Sequence, residues 1–80
     1  MKILLFGQLA ERIGREIECG VPPDGCSIAA LRRQLVDSDP CYKPLGAPSV
    51  RACVDKVIVP EDHLVRPGQE LAFLPPLSGG

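Results

Sequence analysis

The chain has 80 residues, enough for one domain and too few for a second hydrophobic core. Its formal net charge is -1 with acidic and basic residues interspersed, so it lacks the basic stripe with which nucleic-acid-binding proteins neutralise phosphates. No apolar run approaches the roughly 20 residues of a membrane-spanning helix. We therefore expect neither nucleic acid nor a membrane as a partner.

The first half of the chain predicts two strands, a short helix and a longer helix. Ser27 is a favourable N-cap, and Leu31 and Leu35 lie four residues apart on one helical face. In chain order we expect a strand over 2–6, a short helix over 8–13, a strand over 15–19, a loop over 20–25, and a helix from Ile28 to about Asp37.

The second half begins with a loop and ends in strands. Prolines 40, 44 and 48 predict an irregular segment over 38–49, in which Tyr42 is either a packed loop anchor, the favoured reading, or a partner contact together with Cys41. Next we expect a strand over 50–54, a turn at Asp55-Lys56, a short strand over 57–59, turns at 60–62 and 67–68, and a last strand over 70–74. This order indicates an α+β domain with one main helix against one face of a mixed sheet.

Alternation along the strands assigns side chains to the two faces of the sheet. Charged residues at the strand ends mark one face as solvent-directed, so the other parity forms the core: Ile3, Leu5, Ala52, Val54, Val57, Val59, Leu71 and Phe73, against Ile28, Leu31 and Leu35. An apolar set remains on the outward side, consisting of Leu4, Phe6, Ile58, Ala72 and Leu74. We expect it to bind a partner, because soluble monomers rarely expose such a patch; the alternative is that loops cover it.

The four cysteines and the single histidine do not form a recognisable site. No two cysteines have C-x-x-C spacing, so free thiols are expected rather than a metal site or disulfides. The N-terminal apolar run is too short for a signal peptide, so we expect a reducing, cytoplasmic location. His63 lacks a neighbouring nucleophile and is read as a solvated loop residue, so no self-sufficient active site is predicted.

The end of the sequence carries the candidate chemistry. After the last strand, Pro75 and Pro76 favour a stiff extended spacer, so that 75–80 could project about 18 Å from the sheet. Leu77, Ser78 and Gly79 then lead to Gly80, whose carboxylate has no side chain beside it and could enter a narrow channel of another protein. The alternative is an ordinary frayed terminus.

Several stretches together resemble a known family. Residues 72–80 (AFLPPLSGG), 59–64 (VPEDHL), 66–69 (RPGQ) and the opening 2–14 are similar to the MoaD/ThiS family of ubiquitin-like sulfur carriers. Prolines before a Ser/Thr-Gly-Gly end resemble the molybdopterin branch, to which MoaD belongs. The loop over 41–49 departs from the family pattern, as does Asp55, where relatives commonly carry asparagine.

The resemblance implies a fold and a reaction. It implies a β-grasp domain over 1–74 with a tail over 75–80, acting as the sulfur carrier subunit of molybdopterin synthase. A MoeB-like enzyme would adenylate Gly80 with ATP, and a sulfur donor would convert the acyl-adenylate to a thiocarboxylate (a 1-thioglycine). The tail would then enter a MoaE-like large subunit, in a heterotetramer whose catalytic residues belong to that subunit, and donate sulfur to cyclic pyranopterin monophosphate. No cofactor would be bound by the chain itself. Thiamine, cysteine or tRNA thiolation, a ubiquitin-like modifier and a plain binding module remain alternatives.

Overall fold

A computed structural model of the protein describes residues 1–76. The first half contains two short strands, a helix, a two-residue strand and the main helix. Their bounds are β1 Lys2–Leu5, α1 Gly7–Arg12, β2 Glu16–Glu18, β3 Cys26–Ser27 and α2 Ile28–Ser38. The predicted N-cap of α2 is confirmed, since the Ala30 N–H donates to Ser27 Oγ at 3.1 Å.

The second half contains a 3-10 helix and four strands. Their bounds are 3-10 helix Pro40–Gly46, β4 Arg51–Val54, β5 Val57–Val59, β6 Leu64–Val65 and β7 Leu71–Leu74. The 3-10 helix corrects the prediction that 38–49 would be irregular. It forms because the Asp39 carboxylate accepts from the Cys41 N–H at 2.9 Å and Pro40 occupies the first turn, where a missing N–H costs nothing.

The five longer strands form one mixed sheet in the order β2-β1-β7-β4-β5. The central pair, β1 and β7, is parallel, and the other neighbours are antiparallel. β3 and β6 form a separate two-stranded sheet, which sequence alternation did not predict. The prediction of an α+β fold with a mixed sheet and one main helix is confirmed. Within 1–76, no helix is long and apolar enough to cross a membrane.

The core lies between the inner face of the sheet and α2. Its largest fully buried side chain is Phe73, which the helix residues Ile28, Leu31 and Leu35 accompany as predicted. Tyr42 packs against this core, in agreement with the loop-anchor reading. Val57, predicted to be a core residue, is 61% exposed, and Val59 is half-buried. The reason is that β5 is an edge strand, with a neighbour on one side only.

Arg32 is the one charged side chain buried in the described residues, at 7% exposure. Its Nη1 donates to the carbonyls of Leu45 and Ala47, at 2.7 and 3.2 Å, and Nη2 donates to the Val50 carbonyl. Its Nε and Nη2 lie 2.9 and 3.0 Å from the two oxygens of Glu61. Three carbonyls and one carboxylate therefore compensate the charge, and Arg32 joins α2 to the end of the 3-10 helix and to the segment that follows it.

Candidate functional site

The outward side of the sheet carries an apolar row that crosses four strands. Register pairs Leu4 with Ala72, Ala72 with Cys53, and Cys53 with Ile58, so these side chains lie side by side on β1, β7, β4 and β5. Together with Phe6 and Leu74 they form what we call the outer face: Leu4, Phe6, Cys53, Ile58, Ala72 and Leu74. The predicted partner-binding residues thus belong to one surface.

The outer face has a shallow groove with a volume of about 430 Å³. Phe6 is 47% exposed, whereas Ala72 is only 7% exposed, so Ala72 is the floor of the groove rather than a projecting contact. Ile58 does not line the groove but is 57% exposed at the far end of the row. The groove is lined by Leu4, Phe6, Cys53, Lys56, Glu70, Ala72 and Leu74. Its walls are therefore mainly apolar, with one charge of each sign.

Pro75 and Pro76, which we call the tail root, lie where the strands of this face end. β1 and β7 run parallel, and Leu5 pairs with Phe73, so both strands end at the same edge of the sheet. Leu74 is half-buried there, and Pro75 and Pro76 follow outside regular structure. Leu77, Ser78, Gly79 and Gly80 lie outside the described residues, and the prediction of an extended tail stays a prediction. The outer face and the start of the tail are therefore neighbours, since Leu74 of the groove directly precedes Pro75.

One side of the groove is fixed by Asp55. This residue and Lys56 both have left-handed φ angles, of 49° and 73°, as the central residues of a type I′ turn do. The Asp55 N–H donates to the Glu70 carbonyl at 2.8 Å, and the Glu70 N–H donates to Asp55 Oδ1 at 3.0 Å. Gln69 Nε2 lies 3.5 Å from Asp55 Oδ2. Both carboxylate oxygens act as acceptors, which the single oxygen of an asparagine side chain could not reproduce.

The thiols differ in their surroundings, and all four are free. Burial raises the pKa of Cys19, and the neighbouring Asp39 carboxylate raises the pKa of the exposed Cys41. Cys53 is half-buried in the groove, while Cys41 lies in the 3-10 helix beside α2. No group of three or more His, Cys, Asp or Glu residues within the described part of the chain could hold a metal ion. His63 is half-buried, and its carbonyl accepts from the Ile28 N–H at 3.0 Å.

Two residues of the site were missed from the sequence. Cys53 is not among the predicted partner-binding residues, although strand parity gives it the same outward position as Ala72. Gly7 contacts the tail root, since a Cβ built on it would lie 2.9 Å from Pro75 Cγ. No local sequence signal indicated this contact, because it depends on the parallel pairing of two strands far apart in sequence.

Comparison with known proteins identifies the family. The sequence matches the ThiS family over residues 3–80, almost the whole chain. The chain belongs to the ThiS family. It is a ubiquitin-like sulfur carrier of the ThiS/MoaD type.

A curated relative of this ThiS-family protein covers the same length. The molybdopterin synthase sulfur carrier subunit of Escherichia coli (strain K12) is 33% identical over 81 residues, which include 100% of this chain and 99% of the relative. The sequence resemblance to the MoaD/ThiS family is thereby confirmed.

Solved structures confirm the fold. SAMP1 from Haloferax volcanii superposes with a TM-score of 0.78 at 24% identity, covering 99% of this chain and 97% of that one. A second structure, of H. volcanii small archaeal modifier protein 1, gives a TM-score of 0.77 at 21% identity and covers 95% of both chains. At these identities the likeness shows that the ThiS-family chain has the ubiquitin-like β-grasp fold.

Proposed function

We propose that this protein is the sulfur carrier subunit of a molybdopterin synthase. The observation that carries the proposal is the end-to-end match to the E. coli sulfur carrier subunit at 33% identity, together with a family match that runs to residue 80. The apolar outer face beside the tail root supports it, because a carrier needs a surface on which a partner can hold it while the tail reacts.

The reacting group is the carboxylate of Gly80. A carboxylate resists attack by sulfur nucleophiles, so an oxygen of Gly80 first attacks the α-phosphorus of ATP in a MoeB-like enzyme, and pyrophosphate leaves. Sulfide then attacks the acyl carbon, the bond to the AMP oxygen breaks, and the thiol proton is lost to give a thiocarboxylate. In a MoaE-like large subunit this sulfur attacks a carbon of cyclic pyranopterin monophosphate that carries an oxygen substituent, the carbon–oxygen bond breaks, and the oxygen leaves protonated. Water then cleaves the acyl–sulfur bond, which restores the carboxylate and leaves the sulfur on the product. Each cycle delivers one sulfur atom.

The outer face is the docking surface in this proposal. Its exposed side chains are Phe6 and Ile58, and Leu4, Ala72 and Leu74 complete an apolar surface at whose edge the chain continues into Pro75. A partner that buries this surface gains hydrophobic free energy of about 25 cal/mol per Å² of apolar area, and it holds the tail root in a fixed place. Binding of the domain and delivery of Gly80 then occur together.

Reconstitution tests the chemistry. The chain is incubated with ATP, a MoeB-like enzyme and sulfide, and its intact mass is measured; the thiocarboxylate is about 16 Da heavier because sulfur replaces oxygen. A MoaE-like subunit and the precursor are then added, and product is measured. A variant lacking Gly80 should show neither the mass gain nor product. Product formation by that variant at the wild-type rate would overturn the proposal.

The other functions give different outcomes in the same experiment. A thiocarboxylate that forms but gives no product with the large subunit indicates a sulfur carrier for thiamine, cysteine or tRNA thiolation. Isopeptide-linked conjugates in place of the thiocarboxylate indicate a modifier. Binding through the outer face with no change in mass indicates a binding module. Each of these results contradicts the molybdopterin assignment.

Two native thiols report whether the outer face is the docking surface. Alkylation of Cys53, in the groove, should slow when the large subunit is bound, whereas Cys41, outside the groove, should react at an unchanged rate. The two rates are measured by peptide mass spectrometry on the same sample, so Cys41 corrects for reagent and protein concentration. Equal rates at Cys53 with and without the bound subunit would place the docking surface elsewhere.

A further inference from the structure

Gly7 contacts the root of the tail in a way that only glycine permits. Its φ angle is +56°, in the left-handed region, and an added Cβ would lie 2.9 Å from Pro75 Cγ, 3.8 Å from Cδ and 4.0 Å from Cβ. Carbon atoms in proteins pack at about 3.5–4.0 Å, so the first of these distances is a collision. The pyrrolidine ring of Pro75 therefore occupies the space that a side chain at residue 7 would fill.

This contact occurs where two parallel strands end. β1 and β7 pair with Ile3 opposite Leu71 and Leu5 opposite Phe73, and this offset places Gly7 next to Pro75 just beyond the last paired residues. Pro75 has no N–H and cannot extend the ladder, so packing has to replace the hydrogen bond that would otherwise hold the chain. Gly7 also begins α1, whose first turn turns the chain away from the sheet and leaves room for the ring.

We propose that Gly7 is a positioning residue for sulfur transfer: by lacking a side chain, it lets Pro75 pack against the start of α1 and so sets the direction in which the chain leaves the sheet toward Gly80. The inference rests on the proposed function, since it concerns delivery of the same carboxylate. It assigns to Gly7 no contact with the reacting atoms. A carrier bound through its outer face presents its tail correctly only if that direction is fixed.

Gly7→Ala and Gly7→Asn test the proposal in the adenylation reaction. Both introduce the same Cβ, but asparagine tolerates left-handed φ better than alanine and keeps the fold where alanine strains it. We expect kcat for pyrophosphate release to fall about tenfold in both variants, as a misplaced reacting group does, with KM nearly unchanged because the outer face is intact. Gly20→Ala is the matched control, since a Cβ at Gly20 meets nothing within 4 Å.

Pro75→Ala separates the clash from backbone strain. It removes Cγ and Cδ and leaves only the atom 4.0 Å from the added Cβ, an ordinary contact. In the Pro75→Ala background, Gly7→Ala should therefore have no further effect on kcat, while the part of its cost to the unfolding temperature that comes from the left-handed φ angle remains. A loss of rate that disappears in the Pro75→Ala background while a loss of stability persists is what positioning predicts, and a purely structural role does not predict it.

The possible results are distinct. If wild type is adenylated and both Gly7 variants retain its kcat, or if Gly7→Ala lowers kcat equally in both Pro75 backgrounds, the inference is overturned and the proposed function stands. If wild type itself is not adenylated, the proposed function has failed. A loss of kcat with Gly7→Asn that Pro75→Ala abolishes supports the inference even where Gly7→Ala does not fold.

Discussion

The two faces of the central sheet are built from alternate residues of the same strands and differ in what covers them. The inner face carries Phe73 and Ile3, fully buried under α2, and the outer face carries Phe6 and Ile58, about half exposed. An 80-residue chain buries only about 60% of its unfolded surface, so it has little area to spare. It nevertheless leaves apolar side chains uncovered on one face, and our proposal assigns binding to that face and stability to the covered one.

The largest effect is expected on the inner face. Phe73→Ala removes the largest fully buried side chain, which lies against the Arg32 guanidinium at 5.1 Å from the ring centroid. The free energy of unfolding should fall by about 3–5 kcal/mol, enough to unfold much of a marginally stable domain. Urea denaturation followed by circular dichroism measures it. A loss below about 1 kcal/mol would contradict the division between the faces.

Substitution of Arg32 tests whether the stability of the helix side of the sheet depends on a buried charge. Arg32→Met keeps the apolar stem but leaves the carbonyls of Leu45 and Val50 without their donor, so we expect a loss of about 3 kcal/mol. Glu61→Gln, which retains an oxygen acceptor at the exposed end, is the milder control. Thermal unfolding of both variants should show the larger shift for Arg32→Met; the reverse order would mean that the exposed ion pair holds this region.

Loss of the N-cap of α2 should give the next largest change in the free energy of unfolding. Ser27→Ala removes the acceptor for the Ala30 N–H and should lower the free energy of unfolding by about 1 kcal/mol. Ser49→Ala, at an exposed loop position, is the matched control. Binding to a large subunit, measured by calorimetry under conditions where both variants are folded, should be unchanged, because the cap lies on the helix side of the sheet.

The outer face should show the opposite pattern. Phe6→Asp places a charge on a side chain that is already 47% exposed, so unfolding should change by only about 0.5 kcal/mol. Affinity for the large subunit should nevertheless fall at least about tenfold, the usual consequence of removing an aromatic anchor. Lys43→Asp, exposed on the 3-10 helix, is the charge control. If the Phe6→Asp variant keeps the wild-type affinity, the outer face is not the surface that binds the large subunit.

Lowering the pH should give the smallest change in the free energy of unfolding. The group that responds is Asp39, which lies on neither face of the sheet. The Cys41 N–H holds the pKa of Asp39 below its ordinary value of 3.8. A depressed carboxyl pKa contributes stability above the unfolded value, and that contribution is lost as the pH falls through the folded value. The stability difference between wild type and Asp39→Ala should therefore shrink below about pH 3.8. Denaturation at several pH values measures it, and a constant difference would argue against the cap.

Strand parity predicted the sheet faces because burial on one face imposes a strict period of two on every strand. It failed at Val57 because parity states which way a side chain points and does not show that β5 is an edge strand of the sheet. Arg32 was not singled out because charged residues on a helix are solvated by default, and its acceptors come from another segment. The β3–β6 pairing joins residues almost forty apart with two-residue strands, too short for any local pattern.

The sequence predicted those residues of the candidate site whose positions follow from the alternation of side chains along a strand. The outward residues could be named because they share parity with charged strand ends. The groove floor at Ala72 and the Gly7–Pro75 contact could not be named, because each depends on which strands are neighbours. The parallel pairing of β1 with β7 places Leu4 beside Ala72 and Gly7 beside Pro75, and the antiparallel pairing of β4 with β7 places Cys53 beside Ala72.

The edge strand β5 has a consequence for self-association. Val57 and Ile58 are exposed on an unpaired edge, an arrangement that invites strands of other molecules to add to the sheet. The strand is only three residues long, Lys56 precedes it, and Pro60 follows with no amide hydrogen to offer. β5 therefore offers a second molecule too few backbone hydrogen-bonding groups for stable strand addition. An apolar outer face can remain exposed without this edge promoting growth into fibres.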